Sequence, residues 1–269
     1  MTQSAYVNTN GLQLHYWRTG GDKPQVLLLH GLTDNGACWN PVIAALKTDY
    51  DFIASDARGH GLSDGPEHGY SPIDHAADAA GLIQALGLNK PVVVGHSMGG
   101  MQATVLAAQH PELVRGVVVE DPAWFSPDNQ TPAERRARAD TWAEGLRTDK
   151  AKSKAELIAQ GHERNPRWSP AELDSWSDAK RQVRVQVLEY VELQAVDWRG
   201  MLKQITTPVL LVTGDTTKGV IITPDMAREA QAINPKVEVA NIAETGHCIR
   251  RDNFDGFMAA FSTFLKQVG

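Results

Sequence analysis

Ser97 stands in the run Gly95-His96-Ser97-Met98-Gly99. An apolar run, Pro91-Val92-Val93-Val94, precedes it, and an alanine-rich stretch over 98–109 follows. The pattern therefore falls where a strand turns sharply into a helix. Such a turn holds a serine hydroxyl exposed and brings neighbouring backbone so close that the flanking residues must lack side chains. The chemistry this suits is nucleophilic attack, with Ser97 as the attacking group. A phosphate cradle fits poorly: the run is not Gly-x-Gly-x-x-Gly, and no Walker lysine follows.

A serine hydroxyl is a weak nucleophile at neutral pH and needs a base, which needs an orienting partner. Of the nine histidines, position selects His247, in Thr245-Gly246-His247. It follows the last expected strand and precedes a C-terminal helix, in the chain order nucleophile, acid, base that accompanies this kind of turn. His96 is expected to point into packing and His30 to support the loop after its strand. His15, His60, His68, His75, His110 and His162 read as structural or surface residues. Acyl transfer also requires donors for a developing oxyanion. The Met98 N–H, one residue past the nucleophile, is one candidate; the Leu32 N–H, after the strand that ends at His30-Gly31, is the other.

Short apolar runs at 25–29, 52–54, 91–94, 117–119, 208–212 and 237–242 suit parallel strands buried on both faces. Helical stretches over 73–86, 98–109, 224–233 and 252–268 separate them, with Ser71-Pro72 and Thr223-Pro224 as helix starts. Alternation of strand and helix implies an α/β protein with a mostly parallel, doubly wound sheet. At the N-terminus, Asn10-Gly11 between alternating segments predicts an edge hairpin. Residues 123–200 contain no convincing strand and carry prolines at 127, 132, 166 and 170. They read as a helical cap between two halves of one core, 1–122 and 201–269. Trp124, Trp142, Trp168, Trp176 and Trp198 suit either a pocket or cap-to-core packing. Trp124, directly after the strand end, is the pocket candidate.

The chain's 269 residues, 42% hydrophobic, suffice for one large domain with a sizeable core. Net charge is −6, and the basic runs Arg135-Arg136-Ala137-Arg138 and Lys150–Lys154 are interleaved with acids. They read as solvated helix faces, so no nucleic-acid partner is expected. Two cysteines, Cys38 and Cys248, give no disulfide framework. With no apolar run near the roughly 20 residues that span a bilayer, and no signal-peptide pattern at Met1-Thr2-Gln3, a cytoplasmic location without membrane contact is expected. His-Glu-x-x-His and paired Cys-x-x-Cys are absent, so neither a metal nor an organic cofactor is implied. Nothing in the sequence sets an oligomeric state.

In order, His30-Gly31, the loop from Asp56 to Asp64 (Asp56-Ala57-Arg58-Gly59-His60-Gly61-Leu62-Ser63-Asp64), Gly95-His96-Ser97-Met98-Gly99-Gly100 and Gly246-His247 resemble the α/β-hydrolase superfamily, in the branch with esterases, lactonases and carbon–carbon hydrolases. The resemblance covers 1–122 and 205–269 and leaves the cap outside it. It implies the α/β-hydrolase fold, and hydrolysis of a small carboxylic ester or lactone through an acyl-enzyme on Ser97. Carbon–carbon or amide hydrolysis, or a ligand-binding receptor that keeps the triad, are the alternatives. Dehalogenases and epoxide hydrolases of this fold use Asp where Ser97 stands. The 56–64 loop resembles the family's bracing loop, with Asp56 and Arg58 structural.

The acid departs from the family pattern. After the strand at 209–213 the usual arrangement resembles Gly, an acid, any residue, then the catalytic Asp. Here Gly214-Asp215-Thr216 is followed by Thr217, which cannot supply the charge that stabilises an imidazolium. Some members instead carry the acid at the end of the strand after the nucleophile helix, beyond a Pro-Glu-x-Val helix end. Here Pro111-Glu112-Leu113-Val114 leads through Val117-Val118-Val119 to Glu120 and Asp121. The resemblance thus implies Asp121, with Asp215 and Glu120 as alternatives. Strand alternation lets only one of the adjacent acids face the histidine.

Overall fold

Asn10 and Gly11 both adopt left-handed backbone, φ 51° and 74°, as a two-residue hairpin turn requires. They join β1 (Gln3–Thr9) and β2 (Leu12–Arg18), which pair antiparallel as the sequence predicts. The computed structural model describes residues 3–126 and 130–269. Met1 and Thr2, where no signal-peptide pattern is expected, and Pro127 of the expected cap lie outside the described residues. The other strands are β3 (Gln25–Leu29), β4 (Asp51–Ser55), β5 (Val92–His96), β6 (Gly116–Glu120), β7 (Val209–Thr213) and β8 (Val237–Asn241). They form one eight-stranded sheet in the order β1-β2-β4-β3-β5-β6-β7-β8, parallel from β4 onward.

The continuous apolar runs are explained by burial on both faces. Leu27, Leu29, Val93, Val117 and Val119 enter one core cluster, whereas Val26, Leu28, Val92, Val94 and Val118 enter the other. The helices α1 (Asn40–Leu46), α2 (Pro72–Ala85) and α3 (Met98–Gln109) flank the first half. Ser71 caps α2 in a reciprocal box with Asp74. α1 carries no periodic signal in the sequence, because seven residues are too few to develop a helical period.

Between β6 and β7 the described chain is helical: α4 (Pro132–Lys150), α5 (Lys154–Arg164), α6 (Pro170–Gln182), α7 (Glu189–Leu193) and α8 (Trp198–Gln204). Three of these begin with the same signal. Thr131, Ser153 and Ser169 each form a capping box with a glutamate three residues on, which satisfies two otherwise orphan backbone donors. Met98 and Tyr70 of the sheet half pack into one apolar cluster with Ala139, Ala143 and Tyr190 of the insertion. α8 packs instead on α3 and on α9 (Pro224–Ile233), among the helices that cover the sheet. The C-terminal segment is divided into α10 (Ile249–Asp252) and α11 (Phe254–Val268), because Asn253 leaves helical backbone and caps Gly256 N. The predicted single helix from 252 thus starts two residues later. Among the described residues no helix is long and apolar enough to cross a membrane.

Among the buried histidines are His30, His60, His75 and His96. Desolvation draws all four pKa values below the ordinary imidazole value, that of His60 to about 3. A histidine with a depressed native pKa favours folding above its unfolded pKa, near 6.5, and that contribution drains as pH falls below it, because the unfolded chain binds more protons. Thermal melts are therefore expected to give a lower Tm at pH 5 than at pH 7.5. Each proton taken up on unfolding adds about 1.4 kcal/mol of lost stability per pH unit. Equal Tm values at the two pH values would contradict this.

Candidate active site

At the β5–α3 junction Ser97 has φ 54° and ψ −113°, a sparsely populated conformation that persists only when its surroundings enforce it. Enforcement is through the main chain. Ser97 N donates to Glu120 O at 3.0 Å, and Ser97 O accepts from Ala123 N at 3.0 Å, clamping the serine to the chain leaving β6. The flanking glycines are obligatory: a Cβ at Gly95 would lie 2.0 Å from Gly99 O, and one at Gly99 would lie 2.3 Å from Leu29 O. Two further non-glycine residues with positive φ border this point, Thr33 at 66° and Asp121 at 40°.

The loop after β3 presses against the same turn, since a Cβ on Gly31 would meet His96 Nδ1 at 2.8 Å and Ser97 Cβ at 3.4 Å. Leu32 follows in that loop, and Met98 opens α3. Neither amide is consumed by a hydrogen bond among the described residues, and Met98 is at a helix start, where N–H groups lack intrahelical partners. His30 fixes the loop from below: its Nδ1 donates to Gly31 O at 2.8 Å, and its Nε2 accepts from Ala57 N at 3.0 Å. Asp56 accepts from Gly36 N, Leu62 N and His15 Nδ1, and Arg58 pairs with Asp78. Both brace the 56–64 loop.

His247 lies between β8 and α10. Its Nδ1 is 2.6 Å from Asp121 Oδ2; a carboxylate only accepts, so Nδ1 carries a proton, and in the neutral imidazole Nε2 keeps the free lone pair. Asp121 is fully buried and also accepts from Ile221 N and Ile222 N, each at 2.9 Å. The other two candidate acids are engaged elsewhere. Glu120 accepts from Arg250 N and Nη1, both at 2.8 Å, on the other side of the strand. Asp215 accepts from Thr217 N at 2.9 Å and Thr217 Oγ1 at 2.7 Å in an exposed turn. His96 Nε2 donates to His247 O at 2.9 Å, while burial, then the charge His247 would carry, holds its pKa well below the ordinary value. It positions the His247 backbone and remains neutral.

Ser97, Met98, Leu32 and His247 line one cavity of about 230 Å³. No hydrogen bond joins Ser97 to His247 among the described residues. The facing walls come from the insertion, and here two sequence expectations are corrected. Trp124 does not reach the cavity. Its indole is buried, stacks on Trp198 at 4.8 Å and donates from Nε1 to Thr104 Oγ1 at 3.0 Å. Along the segment that leaves β6, Ala123 and Phe125 line the cavity, so the residue between them points the other way, into the core. The run Arg135-Arg136-Ala137-Arg138 is not uniformly solvated. Arg136 is exposed, but Arg138 lines the cavity with its guanidinium 5.3 Å from the Phe125 ring centre. The available signal was the helical stripe: Ala139, Ala143 and Leu146 face inward, and Arg138 and Trp142 border them at helical spacing. Among the described residues no group of three His, Cys, Asp or Glu side chains is arranged to hold a metal ion.

Comparison with known proteins gives a consistent result. Residues 24–250 match the sequence pattern of the α/β-hydrolase fold family. A 2-(acetamidomethylene)succinate hydrolase from Mesorhizobium japonicum is 44% identical over 116 residues, covering 43% of this chain and 41% of that protein. An N-formylmaleamate deformylase from Pseudomonas putida is 29% identical over 270 residues, covering 96% of this chain and 95% of that one. Among solved structures, the enol-lactonase from Burkholderia xenovorans superposes with a TM-score of 0.80 at 26% identity, covering 97% of this chain and all of the other.

Proposed function

This chain belongs to the α/β-hydrolase fold family, and from that premise we propose that it is a serine hydrolase cleaving a small carboxylic ester or lactone through an acyl-enzyme. The observation that carries the reading is that Ser97 and His247 line one cavity while Asp121, buried behind it, holds His247 Nδ1 at 2.6 Å. Ser97 Oγ attacks the carbonyl carbon while His247 Nε2 takes its proton. The Asp121 carboxylate stabilises the resulting imidazolium. The amides of Met98 and Leu32 receive the oxyanion. His247 then protonates the leaving group, and water, deprotonated by the same imidazole, releases the acid and restores Ser97.

An acyl–nitrogen bond is the second reading. The relative aligned over nearly its whole length is named an N-formylmaleamate deformylase, and another is named for an acetamido compound. The cavity, about 230 Å³, lies below the ~300–1,000 Å³ of drug-sized pockets, which favours a compact substrate in either case. The test is turnover of an ester, a lactone, a secondary amide and a diketone sharing one short acyl group, alongside labelling by a fluorophosphonate. Labelling at Ser97 with ester and lactone turnover is the expected outcome. A higher kcat/KM for the amide moves the assignment to the second reading. Labelling and turnover both absent would indicate a binding protein.

A further inference from the structure

Arg138 is the cation of the cavity, and among the described residues its guanidinium has neither an acidic partner nor a hydrogen bond; its nearest neighbour of note is the face of Phe125. Desolvation, and then the charge of Arg135, both work against its protonated form, so an anion placed there would be favoured by the field already present. Two more side chains of the same wall are unpartnered. Tyr190 Oη and Gln194 Nε2 make no hydrogen bond, although Tyr190 is 1% and Gln194 4% exposed. Buried polar groups without partners are rare in native proteins and call for an explanation. Three bordering one cavity, opposite a strained serine, call for a common one. Stability does not supply it, because an apolar side chain at any of the three positions would be less costly to bury.

The geometry points to a carboxylate-recognition subsite: Arg138 of α4, with Tyr190 and Gln194 from the α7 segment packed against it, receives the carboxylate of a substrate whose scissile acyl group lies on Ser97. The inference rests on the serine-hydrolase reading above and specifies its substrate class, a short acyl compound that carries a free acid at its other end. Charge matching favours a carboxylate over a phosphate. One guanidinium balances one negative charge, and the second nearby arginine, Arg135, is committed to Glu192 O and Gln130 O. A phosphate of nearly two charges would remain under-neutralised. The planar guanidinium fork also fits a carboxylate in two-point contact. Burial raises the Tyr190 phenol far above its ordinary pKa, so it stays a donor. The apolar walls formed by Leu32, Phe125, Trp142 and Ile221 accommodate the short linker between the two ends.

The test compares mono-p-nitrophenyl glutarate with its methyl-capped diester, each corrected for uncatalysed hydrolysis, so that leaving group and acyl chain are constant and only the carboxylate differs. Wild-type enzyme is expected to favour the free acid on the order of 10²-fold in kcat/KM. Arg138→Met should collapse that ratio to near unity, and Arg138→Lys should retain part of it. Independently of turnover, glutarate should protect Ser97 of the wild-type enzyme from a fluorophosphonate, whereas dimethyl glutarate should not; Arg138→Met should abolish the protection. Equal turnover of the two esters by the wild type, or glutarate that fails to protect, overturns the subsite and leaves Ser97 labelling and ester cleavage standing. No labelling and no turnover of either ester overturns both the subsite and the reading beneath it.

Discussion

Ser97→Ala is expected to lower kcat by about 10⁶-fold, the scale of nucleophile removal in other serine hydrolases, with Tm nearly unchanged. The two halves of this expectation have different origins. The chemical loss is large because no neighbouring group can replace an alkoxide equivalent at that point; the adjacent His96 is buried with its Nε2 committed to His247 O. The fold is spared because what holds residue 97 at φ 54° is backbone, through Glu120 O and Ala123 N, and alanine keeps both bonds. Steady-state kinetics and a thermal melt on the same preparation check the two halves. Activity within tenfold of wild type would remove Ser97 from the mechanism.

Asp121→Asn should cost roughly 10⁴-fold in kcat, by analogy with the same change in a serine protease triad. Asparagine offers one oxygen to two sets of donors. The Ile221 and Ile222 amides require an acceptor, and so does the His247 Nδ1–H. With the oxygen held by the backbone, the amide NH₂ faces His247 and selects the tautomer whose Nε2 is protonated and unable to act as base. Asp215→Asn provides the contrast. Asp215 is a half-buried turn residue at the surface whose partners are the amide and hydroxyl of Thr217, so kcat should fall less than about tenfold, in keeping with a surface change. A crippled Asp215→Asn beside a mild Asp121→Asn would return the acid to the strand that usually supplies it.

The candidate site is legible in the sequence to the extent that its parts are encoded locally. Gly95, Ser97 and Gly99 describe their own steric environment, and the apolar runs of β3 to β7 report burial on both faces without reference to anything distant. Asp121 required more. Pattern placed two adjacent acids at the strand end, and which of them meets His247 is decided by Arg250, whose side chain occupies Glu120 from the opposite side. The insertion was legible as helix and not as surface. Its capping boxes at Thr131, Ser153 and Ser169 fix where helices start, but which face of α4 turns inward depends on packing against Met98 and Tyr70, residues far away in the chain. Trp124 and Arg138 were misread for one reason. Residue type suggests a ring for the pocket and a cation for solvent, whereas backbone direction at 123–125 and helical phase at 138–146 assign them the reverse.

On the proposed mechanism, the position of Asp121 directly after β6 has a consequence for biosynthesis. Ser97, Met98 and Asp121 belong to one β-α-β crossover, β5-α3-β6, and Leu32 precedes it. A chain emerging N-terminus first therefore carries the proposed nucleophile, acid and both amide donors once residue 121 has been made, but not the proposed base. His247 arrives only after β8, on a segment anchored by Arg250 on Glu120 and by α11 against the sheet. A nascent chain stalled anywhere in the insertion is, on the proposed mechanism, chemically silent toward acyl compounds, and competence waits on the docking of the segment that carries His247. Hydrolytic activity, on the proposed mechanism, thus requires the segment that carries His247.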